Sequence, residues 1–281
     1  MLIREIDGFN MIRFTEKDHS YVDLNTGEQL TSMTTFIAQF KPKVDWSEKA
    51  HAYVAKRTPK KVIQDLATKQ KKSIQEIEEM IAGREINGEL ILEIWNNNKN
   101  RAASEGTAEH LIRENKWKAL QEAGKPVYTN MAVDGVKYSV DLSNLKPGVY
   151  PESIIYHPSY NIVGQSDEPW VFPKKILDIN DYKSNDKLDF ESYRNWRTGQ
   201  HQTMLDPISH IQDCNVNHYA LQLSGYAYLM ELHGYKVRNL TIEHTKDNNK
   251  KHLLPYLREE IITVLNYKEP KQEEFDIYNF I

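Results

Sequence analysis

Apolar residues recur with two periods along the chain, and the switches between them outline its elements. Residues 1–30 alternate short apolar and polar runs around turn signals at Asp7-Gly8 and Asn25-Thr26-Gly27, which predicts short strands. LTSMTTFIAQF, Leu30 to Phe40, carries a Ser/Thr cluster suited to capping a short helix. From about Ser47 to Trp95 apolar residues fall at three- and four-residue steps, as at Ile74, Ile77 and Ile81, which predicts helix. Pro59, Gly83 and Gly88 cut that helical stretch into pieces. A further helix is predicted from about Asn98 to Gln121. Strands follow around Met131–Val140, Glu152–Tyr156, Asn161–Gln165 and Lys175–Tyr182, with turn signals at Asp134-Gly135 and Pro147-Gly148. HYALQLSGYAYLMELHGY is an amphipathic helix ended by Gly234, and KVRNLTIEHT returns to strand. The order predicts an α/β fold, a central mixed β-sheet flanked by helices with an inserted N-terminal helical lobe. The expected division is 1–40 for the first strands and the Ser/Thr motif, 41–97 for the lobe and 98–281 for the main body.

Composition narrows the function classes. The chain has 281 residues, 40% of them hydrophobic, which is enough for one large domain with a lobe. Its formal net charge is -4, so nucleic-acid binding would need a local basic track. One exists: Lys41–Arg101 holds 13 basic and 9 acidic residues, whereas Tyr256–Ile281 holds 3 basic and 6 acidic. Lys56, Arg57, Lys60 and Lys61 are the candidate contacts to a phosphate backbone; a solvated helix face is the plainer reading of the same charges. The single cysteine, Cys214, makes no internal disulfide, zinc ribbon or iron–sulphur cluster, and suits a reducing compartment. MLIREIDGFN does not read as a signal or transit peptide, and no apolar run reaches the ~20 residues of a membrane span. The expectation is a cytoplasmic protein with no membrane partner.

The chemistry concentrates in VGQSDEPWVFPKKILDINDYKSN, Val163 to Asn185. On a strand alternate residues share a face, so Leu177, Ile179, Asp181 and Lys183 line one side. The apolar pair anchors the strand, and the charged pair continues that face where the strand ends. Opposite charges on the inward side of a strand end are costly unless something binds there. A divalent cation would account for the carboxylate, and Mg²⁺ in particular takes few protein oxygens and keeps water and phosphate as other ligands. Asp167 is a second carboxylate, brought alongside if Glu168–Lys174 forms a hairpin link. An ordinary exposed Asp–Lys pair is the competing reading. Elsewhere, His110 and Glu114 share a helix face, as do Tyr219, Gln222, Tyr226 and Leu229. An imidazole can ligate a metal or fill a core, and an amide such as Gln222 on an apolar face needs partners.

Gly164, Asp167, Ile179, Asp181, Tyr182, Lys183 and Ser184 together resemble the G-x-x-D…(I/V)-x-D-Y-K-(T/S) core of the PD-(D/E)XK nuclease superfamily. Further pieces are similar to its RecB-like branch, in the same order along the chain. EGTAEHLIRE resembles the G-T-x-x-H-x-x-x-E helix through His110 and Glu114. Glu152 stands where an acidic residue precedes the first aspartate. QLSGY resembles the Q-x-x-x-Y helix through Gln222 and Tyr226. LTSMTTFI is similar to a segment of phage-type and mitochondrial genome maintenance exonucleases, with Met33 where valine is common. The chain departs from the pattern at SDEPW, where Pro169 would end or bulge the strand. The ligand is therefore Asp167 or its neighbour Glu168.

The resemblance implies a restriction-endonuclease-like core and a Mg²⁺- or Mn²⁺-dependent deoxyribonuclease. Asp167, Asp181, His110 and the backbone carbonyl of Tyr182 would hold the ions. Lys183 would orient the attacking water or stabilise the oxyanion, Glu152 would align Lys183 or a metal-bound water, and Gln222 and Tyr226 would position Lys183 or the strand. The implied activity is an exonuclease, with single-stranded ends favoured, serving DNA recombination, repair or replication in a bacterial cell or phage-infected host. A recombinase, helicase or single-strand binding protein would be its partner. The alternatives are an inactive nuclease-fold DNA-binding protein and a structure- or sequence-specific endonuclease.

Overall fold

A computed structural model describes residues 12–133 and 136–267 of the chain. The turn signals at Asp7-Gly8 and Asp134-Gly135 and most of the acidic C-terminal stretch lie outside the described residues. Lys43–Arg113 form one compact unit, and the rest of the described chain forms the other.

The larger unit opens with β1 (Ile12–Thr15), β2 (Ser20–Asp23) and β3 (Gln29–Ser32), an antiparallel meander. Ser32 then caps α1 (Met33–Ala38), its hydroxyl accepting from the Thr35 amide as the Ser/Thr cluster predicts. After the helical unit come β4 (Met131–Val133), β5 (Val136–Tyr138), β6 (Gly148–Val149), β7 (Ser153–Tyr156), β8 (Ile162–Ser166), β9 (Glu168–Phe172) and β10 (Ile176–Lys183). The described residues close with α6 (Asn215–Leu232), β11 (Lys236–His244), β12 (Lys250–Leu254) and α7 (Arg258–Leu265).

These strands make a mixed α/β architecture, but the single central sheet expected from their order is two. One sheet runs β4-β5-β1-β2-β3-β8-β7 and the other β12-β11-β10-β9-β6. Each contains one parallel pair, β3 with β8 and β10 with β11, and α6 is the crossover that a parallel β10–β11 pair requires. The expected hairpin between β8 and β10 is absent. Glu168–Phe172 is itself a strand, β9, which pairs antiparallel with β10, so the chain leaves one sheet after Ser166 and enters the other at Glu168. Asp167 is the seam.

Pro169 does not end that strand. It lies opposite Ile179, and the neighbouring Tyr150 amide uses its carbonyl, at 2.9 Å, so no Pro169 donor is needed. Leu177, Ile179, Leu240 and Ile242 are buried together beneath α6, α7 and α1. Each fully buried aliphatic side chain contributes about 1.5–3 kcal/mol.

Two glycines let α6 approach. A Cβ on Gly164 of β8 would collide with the Tyr226 ring, and one on Gly225 of α6 would collide with Met33 of α1. The tyrosine ring is rigid and fully enclosed, whereas the methionine end can swing away. Gly164→Ala is therefore expected to lower stability by about 1–3 kcal/mol, and Gly225→Ala by clearly less. Urea unfolding of the two variants checks the order; equal losses would mean that α6 shifts as a body.

The helical unit holds α2 (Trp46–Ala55), α3 (Pro59–Gln70), α4 (Ile74–Met80) and the first part of α5 (Gly88–Glu122). Asp45, Thr58 and Ser73 cap the first three, with Pro59 at the start of α3 and a capping box between Ser73 and Glu76. Ile77 and Ile81 are buried with Val62, Leu66, Leu90 and Ile91. Ile74, expected on the same face, is exposed, because it is the first residue of α4. The helix predicted from Asn98 starts ten residues earlier, at Gly88. The helical stretch is interrupted just before Gly88, where α5 begins, and Gly88 abuts the His51 ring, where a Cβ would not fit. Among the described residues no helix is long and apolar enough to cross a membrane.

Candidate functional site

The alternation in ILDINDYK delivers the arrangement it predicts. Leu177 and Ile179 are fully buried, and the same face continues into Asp181, 1% exposed, and then Lys183. Lys183 Nζ lies 2.5 Å from Asp181 Oδ2. Burial works to lower the pKa of the Lys183 ammonium, but the Asp181 and Asp167 carboxylates outweigh it, and the net shift is upward. Lys183 is thus held protonated.

Asp167 reaches the same strand end from the seam. Its Oδ2 accepts a hydrogen bond from the Tyr182 amide at 2.8 Å. Register separates it from Glu168, which pairs with Asn180 and so points to the sheet face opposite Asp181. There Glu168 Oε1 accepts from the Trp170 indole at 2.7 Å.

Glu152 lies across from Asp167, just ahead of β7. Its amide donates to the Asp167 carbonyl at 3.0 Å, its carbonyl accepts from Asn130 Nδ2 at 2.5 Å, and its carboxylate accepts from Gln165 Nε2 at 2.8 Å. Its φ of 53° is in the left-handed region, uncommon for a residue with a side chain and held here by those bonds. The Glu152 charge is felt at Tyr21, whose pKa is raised first by burial and then by this carboxylate, and at Lys137.

Gln222 and Tyr226 meet one turn apart on α6, Gln222 Nε2 donating to the Tyr226 hydroxyl at 2.9 Å. Burial drives the Tyr226 pKa well above its usual value, opposed by the Gln222 bond and reinforced by Asp181 and Asp167. Tyr226 is accordingly a neutral phenol next to both carboxylates. Two participants carry no assignment from the sequence. Tyr219, one turn before Gln222 on the same face, lies under the Lys183 ammonium, 4.7 Å from ring centroid to Nζ, and its hydroxyl donates to Asn185 Oδ1 at 2.6 Å. Gln165 fixes the Glu152 carboxylate. Spacing on α6 pointed to Tyr219; no sequence signal marked Gln165.

Glu114, in the larger unit, pairs with Lys118 at 3.0 Å and Lys137 at 3.6 Å; burial raises its pKa, and these lysines bring it below the usual range. His110 is half-buried on α5, one turn ahead of Glu114 and within the helical unit. In that unit Arg57 and Lys61 both pair with Asp65, at 2.9 and 3.0 Å, and Arg57 stacks on Tyr53. Lys56 and Lys60 are exposed. Two of the four proposed phosphate contacts therefore share one carboxylate, which offsets one of their charges.

The chemistry of the strand end is that of two buried carboxylates facing one ammonium, with a third carboxylate across from Asp167. Such a site carries excess negative charge in a low-dielectric setting, which fits a bound cation. No protein-family model, curated protein or solved structure matches the chain.

Proposed function

We propose that the chain is a metal-dependent DNA nuclease built on a restriction-endonuclease-like core. The observation that carries this reading is the protonated Lys183 against buried Asp181, with Asp167 hydrogen-bonded to the intervening residue. Carboxylates alone would serve a storage or structural metal. An added ammonium at the same strand end supplies what phosphodiester hydrolysis needs besides the ion, a positive group for the charge that grows on phosphate oxygen.

Asp167, Asp181, His110 and the Tyr182 carbonyl are the proposed ligands of Mg²⁺ or Mn²⁺. Glu152, whose amide donates to the Asp167 carbonyl and whose carboxylate is held by Gln165, would align Lys183 or a metal-bound water. When bound, the ion supplies an acidified water and neutralises phosphate charge. Lys183, kept protonated by its carboxylates, acts as an electrostatic group and not as a general base. Tyr226, a neutral phenol bonded by Gln222, and Gln222 itself would position Lys183 or the scissile strand.

Incubating the full chain with end-labelled single-stranded and duplex DNA tests the reading. Cleavage is expected with Mg²⁺ or Mn²⁺ and none with chelator, and loss of label from ends before internal cuts would mark exonuclease action. Intact DNA of both forms in the presence of both metals would overturn it.

A further inference from the structure

The segment between β10 and α6, directly after Lys183, exposes large aromatic rings. Trp196 is 80% exposed, Tyr193 64% and Phe190 55%. Burying rings of this size is worth more than burying almost any other side chain, so a monomer gains nothing from displaying three on one segment.

The segment is also built. Arg194 and His201 form an antiparallel bridge, as do Thr203 and Gln212. The tip closes through Gly199 N–H donating to the Asn195 carbonyl at 2.8 Å, Asn195 N–H to the Gln200 carbonyl at 2.8 Å and Arg194 Nε to the Gly199 carbonyl at 2.8 Å. The base is tied by the Gln212 side chain, which accepts from the Ser192 amide at 2.9 Å. An ordered tip presents its rings without further ordering cost, as a binding surface requires.

Charge selects the occupant. From Tyr193 to Met204 there are two arginines, Arg194 and Arg197, and no acidic residue. The Arg197 guanidinium lies 4.8 Å from the Trp196 ring centroid. Exposed π faces interleaved with arginine, on a chain of net charge -4, suit a polyanion with unpaired bases: the rings stack on bases and the guanidinium groups meet phosphates. Duplex DNA hides its base faces in the stack and offers them no partner.

We infer that the Tyr193–His201 tip is a stacking platform for single-stranded nucleic acid, with Trp196 as the principal base contact and Arg197 as its phosphate contact. The inference deepens the nuclease reading by naming an unpaired strand as the form engaged, and its test avoids cleavage altogether.

Binding of a labelled oligothymidylate to the full chain is followed by anisotropy in chelator, beside a duplex of mixed sequence. Trp196→Ala is expected to weaken oligothymidylate binding by about tenfold, the loss of one stacked base, and to leave duplex binding unchanged. Trp196→Phe should retain most of the affinity, and Arg197→Ala should flatten the salt dependence by about one phosphate contact. Trp196 is solvent-exposed, so its removal does not threaten the fold. Oligothymidylate affinity unaltered in both Trp196→Ala and Tyr193→Ala overturns the inference, as does an equal loss for the duplex. Unaltered affinity together with loss of self-association would make the tip a protein contact instead. Because chelator removes cleavage, failure here leaves the nuclease reading standing, and an inactive chain that binds through Trp196 leaves the platform standing.

Discussion

Lys183→Ala is expected to lower single-turnover DNA cleavage by on the order of a hundredfold or more, with affinity for metal and DNA held within a few-fold. The Lys183 charge is useful at one stage of the reaction and not at the others. In the resting site the ammonium is attracted by Asp181, at 2.5 Å, and by Asp167, and it packs over the Tyr219 ring. A metal on the same carboxylates repels it. Ground-state binding therefore gains little from Lys183, and its removal even relieves competition for Asp181. When negative charge grows on the phosphate, the balance shifts in its favour, which is the condition for lowering a barrier rather than tightening a complex. Lys183→Arg should also be slow, since a planar guanidinium does not fit where a compact ammonium sits between a carboxylate and a ring face. Saturating enzyme with Mg²⁺ isolates the chemical step. Wild-type rates for Lys183→Ala under those conditions would reduce the Asp-Tyr-Lys strand end to an ordinary ion pair.

The strand and helix that frame this site were legible because each shows its period plainly. Leu177, Ile179, Asp181 and Lys183 alternate, and the apolar face of α6 repeats Tyr219, Gln222 and Tyr226 at helical steps. The start of α1 was marked by the Ser/Thr cluster around Ser32 and that of α3 by Pro59. What local pattern does not contain is which strands pair. Pro169 reads as a breaker, yet β9 accepts it because its carbonyl is the group used; the split into two sheets at Asp167 follows from pairings between β3, β8, β9 and β10 that are remote in sequence. Gly88 marks where the helical pattern is interrupted, but its close contact with His51 is not written in the local pattern. The candidate site divides the same way. Asp181, Lys183, Gln222 and Tyr226 follow from periodicity, whereas the Gln165–Glu152 bond and the left-handed backbone of Glu152 depend on the seam between sheets.

The same seam sets two neighbouring carboxylates on different faces, and their variants are expected to differ. Asp167→Ala and Asp181→Ala are each expected to abolish Mn²⁺ binding in calorimetry and DNA cleavage with it, while Glu168→Ala keeps both. Register is the argument. Glu168 pairs with Asn180, and residues paired across antiparallel strands point to one face, so Glu168 faces away from Asp181 while Asp167, one residue earlier, bonds the Tyr182 amide at the end of β10. Glu168→Ala has a different expected cost. It takes the acceptor from the Trp170 indole, bonded at 2.7 Å on a buried carboxylate, and stability should fall by about 1–3 kcal/mol. Urea unfolding reads that loss independently of metal. Should Asp167→Ala retain Mn²⁺ and cleavage while Glu168→Ala loses them, the ligand would be Glu168, and the metal would lie on the Asn180 face of the sheet, where Lys183 cannot serve it.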